Sequence, residues 1–261
     1  GVEGGPREVA EEWMPDASDR SSRLPGSLPL HPQDAKEAER AILVGTYPDF
    51  HEIVKGKLFL GNERAAGIVF PYERENKELI NSFKADLVRH NISGIVCCVP
   101  REPAFKEDFK YCLLPLGDNP KEKSKIRDII GSAFAFIESI LSTGKAAYVH
   151  CNMGMSRSAT VVIGYLMLKN QWSFEKSYIF TRNTRKIITP NEGFCEALID
   201  LEKELMTKLA KQHPAQSLLF LDDRLNNDYD DRKTSSPAIK ANGTCIMDKG
   251  LGVKVEENLG K

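Results

Sequence analysis

A single α/β domain, with a central, mostly parallel sheet flanked by helices and with flexible tails, is predicted by three observations. From about Tyr47 to Leu209, short apolar runs alternate with segments whose apolar residues recur at helical spacing. Within that region Lys145–Val149 reads as a buried strand, and Ala159–Leu168, apolar on every face, as a buried central helix. Outside it the composition turns to Gly, Pro, Ser and charge without a sustained apolar period. The chain thus divides into a disordered arm over residues 1–46, a folded domain over 47–210 and a disordered polar tail over 211–261.

The elements follow in order. A short helix near Ala35–Leu43 closes the arm. Ile53-Val54 and Lys57–Leu60, separated by Lys55-Gly56, read as a strand pair. Leu79, Ile80, Phe83, Leu87 and Val88 mark a helix ending near His90-Asn91. Ile92–Val99 is a buried strand closed by Pro100, and Phe109–Leu114 another closed by Pro115. Ser124 opens a helix whose stripe is Ile126, Ile129, Ile130, Ala133, Phe134, Ile137, Ile140 and Leu141, and Gly144 ends it. Ser173 caps a helix running to about Arg185, where Arg182, Arg185 and Lys186 form a solvated basic face, open to a second acidic group on a ligand. Thr189-Pro190-Asn191-Glu192 has the form of a capping box with proline at N1 and opens the last helix. In the tail, Leu218–Leu221 is the one apolar cluster.

Composition narrows the function. Lys+Arg 36 against Asp+Glu 37 gives a net charge of −1, which argues against nucleic-acid binding through bulk charge. No run approaches the length of a membrane span, and no signal peptide opens the sequence as given. Because the first residue is glycine, a preceding segment stays open. Six cysteines, with no Cys-x-x-Cys pair and no histidines at zinc spacing, fit free thiols in the cytoplasm or nucleus and no metal site.

The chemistry sits at Val149–Ser158, a strand, a tight loop and a helix start. Backbone N–H groups of a loop curling into a helix point at a common centre, and the helix terminus favours negative charge there. Asn152, Met153, Gly154, Met155, Ser156 and Arg157 thus make a phosphate-binding loop, in which Gly154 permits the turn and Arg157 offers a planar fork to two oxygens. A thiol in such a field is stabilised as thiolate, which makes Cys151 a nucleophile aimed at phosphorus. A carboxylic acid must then protonate the departing oxygen. Asp118, 33 residues earlier in Gly117-Asp-Asn-Pro120, lies after a strand, and loops at the C-terminal ends of parallel strands share one edge. Asp-Asn-Pro is also good turn chemistry, so the residues alone leave both roles open.

His150-Cys151-x5-Arg157-Ser158 resembles the signature of the cysteine-dependent protein tyrosine phosphatases, and Gly154-Met-Ser-Arg-Ser158 resembles their dual-specificity branch. The resemblance spans roughly Phe50 to Leu209 and includes Leu58-Phe-Leu-Gly61, Leu116-Gly-Asp118 and Pro190-Asn-Glu-Gly-Phe194, with Met153 in place of a more usual alanine. It implies the phosphatase fold and assigns catalysis to Cys151, Arg157 and Asp118, with Ser158 donating to the sulfur as it leaves the phosphoenzyme. It further implies that His150 holds the loop by hydrogen bonding and that Asn191 braces it from outside. No cofactor is implied, and the partner is a phosphorylated protein carrying phosphotyrosine or phosphoserine/threonine. The alternatives are a phosphate-reading module without turnover, or a phosphatase of a non-protein phosphoester, the latter disfavoured by a loop without lysine. Strand placement also brings Cys98 towards Cys151 as a candidate redox partner.

Overall fold

The computed structural model describes residues 32–43, 45–212, 236–239 and 245–248. The arm up to residue 31 and the Leu218–Leu221 cluster lie outside these. Helix α1 (Pro32–Leu43) is followed by β1 (Phe50–Val54) and β2 (Leu58–Asn62), then α2 (Lys77–Arg89), β3 (Ile92–Cys97) and β4 (Lys110–Leu113). Next come α3 (Lys123–Leu141), β5 (Ala146–Cys151), α4 (Arg157–Asn170), α5 (Phe174–Thr184) and α6 (Glu192–Gln212). In the stretch read from sequence as a disordered tail, β6 (Ser236–Ile239) pairs antiparallel with β7 (Cys245–Asp248).

The sheet order is β1-β2-β5-β3-β4. Only β1 runs antiparallel; β2, β5, β3 and β4 are mutually parallel. Side-chain alternation along the strands sorts the core into two layers. Leu58, Leu60, Val96, Cys98, Ala147, Val149 and Cys151 face α3, α4, α5 and α6. Phe59, Ile95, Ala146 and Tyr148 face the other way, onto Phe83 and Leu87 of α2 and onto Phe105 and Phe109. Because both faces are covered, β5 is buried at every residue. Helix α4 is buried from Ser158 to Met167, which explains why it lacks an apolar stripe. Removing one of its large side chains, as in Leu166→Ala, is expected to cost about 2–5 kcal/mol.

Several sequence expectations are corrected. Val88 lies on the outer face of α2, 59% exposed. Helix α3 begins at Lys123, so Ser124 falls inside its first turn. The chain enters it through a 3-10 turn, Pro120–Glu122, capped by Asn119, whose Oδ1 accepts from the Lys121 amide at 2.9 Å. The last helix starts two residues later than the capping box implies. Asn191 is its cap, with Oδ1 accepting from the Phe194 amide at 3.1 Å, while the Thr189 hydroxyl donates to the Ile187 carbonyl. Ser173 does cap α5, accepting from the Lys176 amide at 3.1 Å.

Candidate active site

The parallel strands carry their loops to one edge, where β5 ends at Cys151 and α4 starts at Arg157. The intervening loop is held by its carbonyls. Those of Asn152, Met153, Gly154 and Met155 accept from the Glu63 amide (3.1 Å), Arg185 Nη2 (2.8 Å), Arg185 Nε (2.8 Å) and the Thr189 amide (2.8 Å). With the carbonyls pinned outward, amides are free to face the loop interior. That of Gly154 does so, donating to Cys151 Sγ at 3.3 Å. Gly154 has φ +68°, and a Cβ there would lie 2.5 Å from the Gly61 carbonyl oxygen, so both conformation and space demand glycine.

Cys151 Sγ also accepts from Ser158 Oγ at 3.2 Å. It opens on a cavity of about 250 Å³ lined by Asp118, Met153, Met155, Ser156, Arg157, Thr189, Pro190, Asn191 and, from α1, Glu39. Arg157 places Nε 3.4 Å from Asp118 Oδ2 as an ion pair without hydrogen-bond alignment, and Nη1 donates to the Leu116 carbonyl at 3.4 Å. Asp118 Oδ1 accepts from Ser156 Oγ at 2.7 Å and from Asn191 Nδ2 at 2.9 Å. The Asn191 amide in turn donates to Ser156 Oγ at 3.3 Å. The acid loop also rests against α6 at Gly193, where a Cβ would come within 2.6 Å of Pro120 Cα. Cys151, Arg157 and Asp118 therefore share one cavity.

His150 is fully buried and stacked on Tyr148. Burial lowers its pKa to about 4 against the opposing pull of a hydrogen bond to the Cys151 backbone, so the ring is neutral. Asn191 meets the loop through its backbone amide, which donates to Ser156 Oγ, and its side chain holds Asp118.

The residue that sequence reasoning missed is Arg185. Together with Arg182 it is buried, which overturns the solvated basic face and leaves only Lys186 exposed. Its guanidinium holds two loop carbonyls, donates to the Pro48 carbonyl at 3.3 Å and meets His51 Nδ1 at 2.9 Å. The one local signal was Ile187-Ile188 two residues after it, both buried, which shows the chain running inward at that point.

Among the described residues no group of three or more His, Cys, Asp or Glu is arranged to hold a metal, and no helix is long and apolar enough to cross a membrane. Residues 76–204 match the family model of the dual specificity phosphatase catalytic domain. Dual specificity protein phosphatase 1B of Arabidopsis thaliana is 30% identical over 169 residues, covering 65% of this chain and 91% of the relative. A probable rhodanese domain-containing dual specificity protein phosphatase of Dictyostelium discoideum is 31% identical over 166 residues, 64% of this chain but 31% of that relative's length. The solved structure of human tyrosine phosphatase-like serine/threonine/tyrosine-interacting protein is 30% identical, with a TM-score of 0.51 over 59% of this chain and 96% of that one.

Proposed function

The chain belongs to the dual-specificity phosphatase family, and from that premise we propose that it hydrolyses phosphotyrosine and phosphoserine/threonine in proteins through a cysteinyl-phosphate intermediate. The observation that carries this reading is the meeting of Cys151 Sγ, the Arg157 guanidinium and the Asp118 carboxylate at one cavity.

The steps follow from the geometry. The phosphoryl oxygens lie among the loop amides and the Arg157 fork, which bear the charge that a metal would otherwise neutralise. Cys151 sulfur attacks phosphorus as the phosphorus–oxygen bond breaks, and protonated Asp118 gives its proton to the departing alkoxide or phenoxide. Ser156 and Asn191 hold Oδ1, so Oδ2 is the oxygen aimed at the leaving group once Arg157 turns to the phosphate. Water then attacks phosphorus while Asp118 takes its proton, and the sulfur departs as thiolate. The Ser158 hydroxyl and the Gly154 amide stabilise it there. Such a thiol works only while reduced, so the reading includes a cytoplasmic or nuclear location.

The test is hydrolysis of a generic aryl phosphate by wild type and by Cys151→Ser. Wild type is expected to turn over, and the variant to fold, bind phosphorylated ligand and show no turnover. Full activity in Cys151→Ser would overturn the mechanism.

A further inference from the structure

Helix α1 forms one wall of the active-site cavity, and its attachment is built from both packing and charge. Ala38 and Ile42 are buried against Met155 of the phosphate loop and Ile187, with Met153 and Tyr47 packed around them. The chain then turns back on the helix, the Thr46 and Tyr47 amides both donating to the Ala41 carbonyl at 2.8 and 3.1 Å. The Tyr47 ring lies 5.4 Å from the Arg185 guanidinium, the group that holds the Met153 and Gly154 carbonyls. Met155 of the loop thus shares one apolar cluster with α1, and Met153 packs against that cluster.

This placement sets a carboxylate at the cavity. Glu39, next to buried Ala38, lines it with Cys151 and Arg157, is exposed, and has no hydrogen bond or ion pair among the described residues. The other charged groups lining the cavity are Arg157 and Asp118, which pair with each other, and the nucleophilic sulfur of Cys151; no lysine lines it. Arg157 and the loop amides answer the phosphate itself. Next to the phosphate, α1 therefore presents a carboxylate without an ion-pair partner among the described residues.

We infer that Glu39 on α1 is a specificity-determining residue that favours phosphorylated segments with lysine or arginine beside the phosphorylated residue. It disfavours those with an acidic residue or a second phosphate there. The inference rests on the phosphatase reading above and refines its substrate class. A basic neighbour on the substrate gains a carboxylate partner at the cavity wall, whereas an acidic neighbour meets a like charge. Arg182 and Arg185, which from sequence alone were open to a second acidic group, are buried, and Lys186 does not line the cavity. Because Glu39 is exposed, the effect is modest in size and weakens with salt.

The experiment compares two phosphotyrosine peptides of one length, flanked by lysines or by glutamates, in wild type, Glu39→Gln and Glu39→Lys. The readout is the ratio of the two kcat/KM values within each protein, which cancels any general loss of activity. Wild type is expected to favour the lysine-flanked peptide. The ratio is expected to fall about threefold in Glu39→Gln, about tenfold in Glu39→Lys, and to shrink in wild type as ionic strength rises. A ratio equal in all three proteins, or a wild-type preference for the glutamate-flanked peptide, would overturn the inference. Wild-type turnover of an aryl phosphate, measured alongside, tests the phosphatase reading separately. Should that turnover be absent, the ratio is measured as peptide affinity in a Cys151→Ser background, where the same fall supports the inference and the same equality or reversal overturns it.

Discussion

Arg185 holds up Gly154. Its Nε donates to the Gly154 carbonyl at 2.8 Å, and a Cβ on Gly154 would stand 2.9 Å from Arg185 Nη2, so the guanidinium occupies the space that a side chain would need. Burial lowers the pKa of Arg185, yet four acceptors surround it. A lysine cannot reproduce a planar fork. Arg185→Lys is therefore expected to leave one of the two loop carbonyls unsatisfied and to reduce aryl phosphatase kcat/KM by at least about tenfold. Phosphate or vanadate affinity is expected to weaken with it, measured well below the variant's Tm. Unchanged oxyanion affinity would reduce Arg185 to a stabilising role.

The acid loop makes a second prediction. Asp118→Asn removes the proton donor, so hydrolysis of phosphotyrosine or phosphothreonine is expected to fall about 10²–10⁴-fold. An activated ester with a good leaving group is expected to suffer less. Gly193→Ala leaves Asp118 in the chain but forces Pro120 away from α6, because the added Cβ meets backbone there. Its loss is expected to follow the same leaving-group pattern at smaller size. Equal losses on both ester classes would remove Asp118 from the acid role.

The local parts of this site were legible in the sequence because they are written within a few residues. The strand–loop–helix at Cys151, the buried helix after it and the Ser173 cap each depend on neighbours in the chain. Arg185 was not legible in that way: its bond to the Pro48 carbonyl spans 137 residues, and a cation at a helix end already has a local explanation in the macrodipole. Asn191 misled for a related reason. Thr189-Pro190 has the composition of a cap, but the Asn191 side chain satisfies both the helix start and Asp118, which moves the boundary. Glu39 lay in a helix that was expected, and only packing against Met155 turned that helix towards the cavity.

His150 predicts an acid limit to stability. Burial lowers its folded pKa to about 4 from the ordinary 6.5. Between those values the unfolded chain binds a proton that the folded chain does not. This contribution is therefore complete above pH 6.5 and is lost as pH falls towards 4, by roughly 3 kcal/mol in all. His51, lowered to about 4 by burial and by Arg185, acts in the same direction. The measurement is denaturant unfolding across pH 4–7 in wild type and His150→Gln. The two slopes are expected to differ by up to about 1.4 kcal/mol per pH unit, whatever the variant's absolute stability. Identical slopes would mean that His150 takes up its proton equally in both states.

The final prediction concerns oxidation of the nucleophile. In the β3–β5 ladder Cys97 stands opposite His150, and the Cys98 amide donates to the His150 carbonyl at 2.9 Å. One residue further on come Cys98 and Cys151, each two residues beyond the paired Val96 and Val149 and so on one face of the sheet by strand alternation. Parallel strands lie about 4.8 Å apart, within the range over which two cysteines can be bridged. Peroxide converts the Cys151 thiolate to sulfenic acid; attack by Cys98 sulfur then forms the disulfide as the sulfenic oxygen leaves in water. Burial raises the pKa of Cys98 well above the ordinary thiol range, with the neighbouring Cys151 and Cys97 adding to the shift, so the attacking thiolate is scarce at neutral pH. Disulfide formation is therefore expected to accelerate as pH rises, and at low pH to lose ground to further oxidation of Cys151. Mild peroxide followed by mass mapping should find a Cys98–Cys151 bridge, with activity restored by dithiol in wild type but not in Cys98→Ala. Finding Cys151 only as sulfinic or sulfonic acid, with Cys98 still alkylatable after denaturation at every pH, would end the idea.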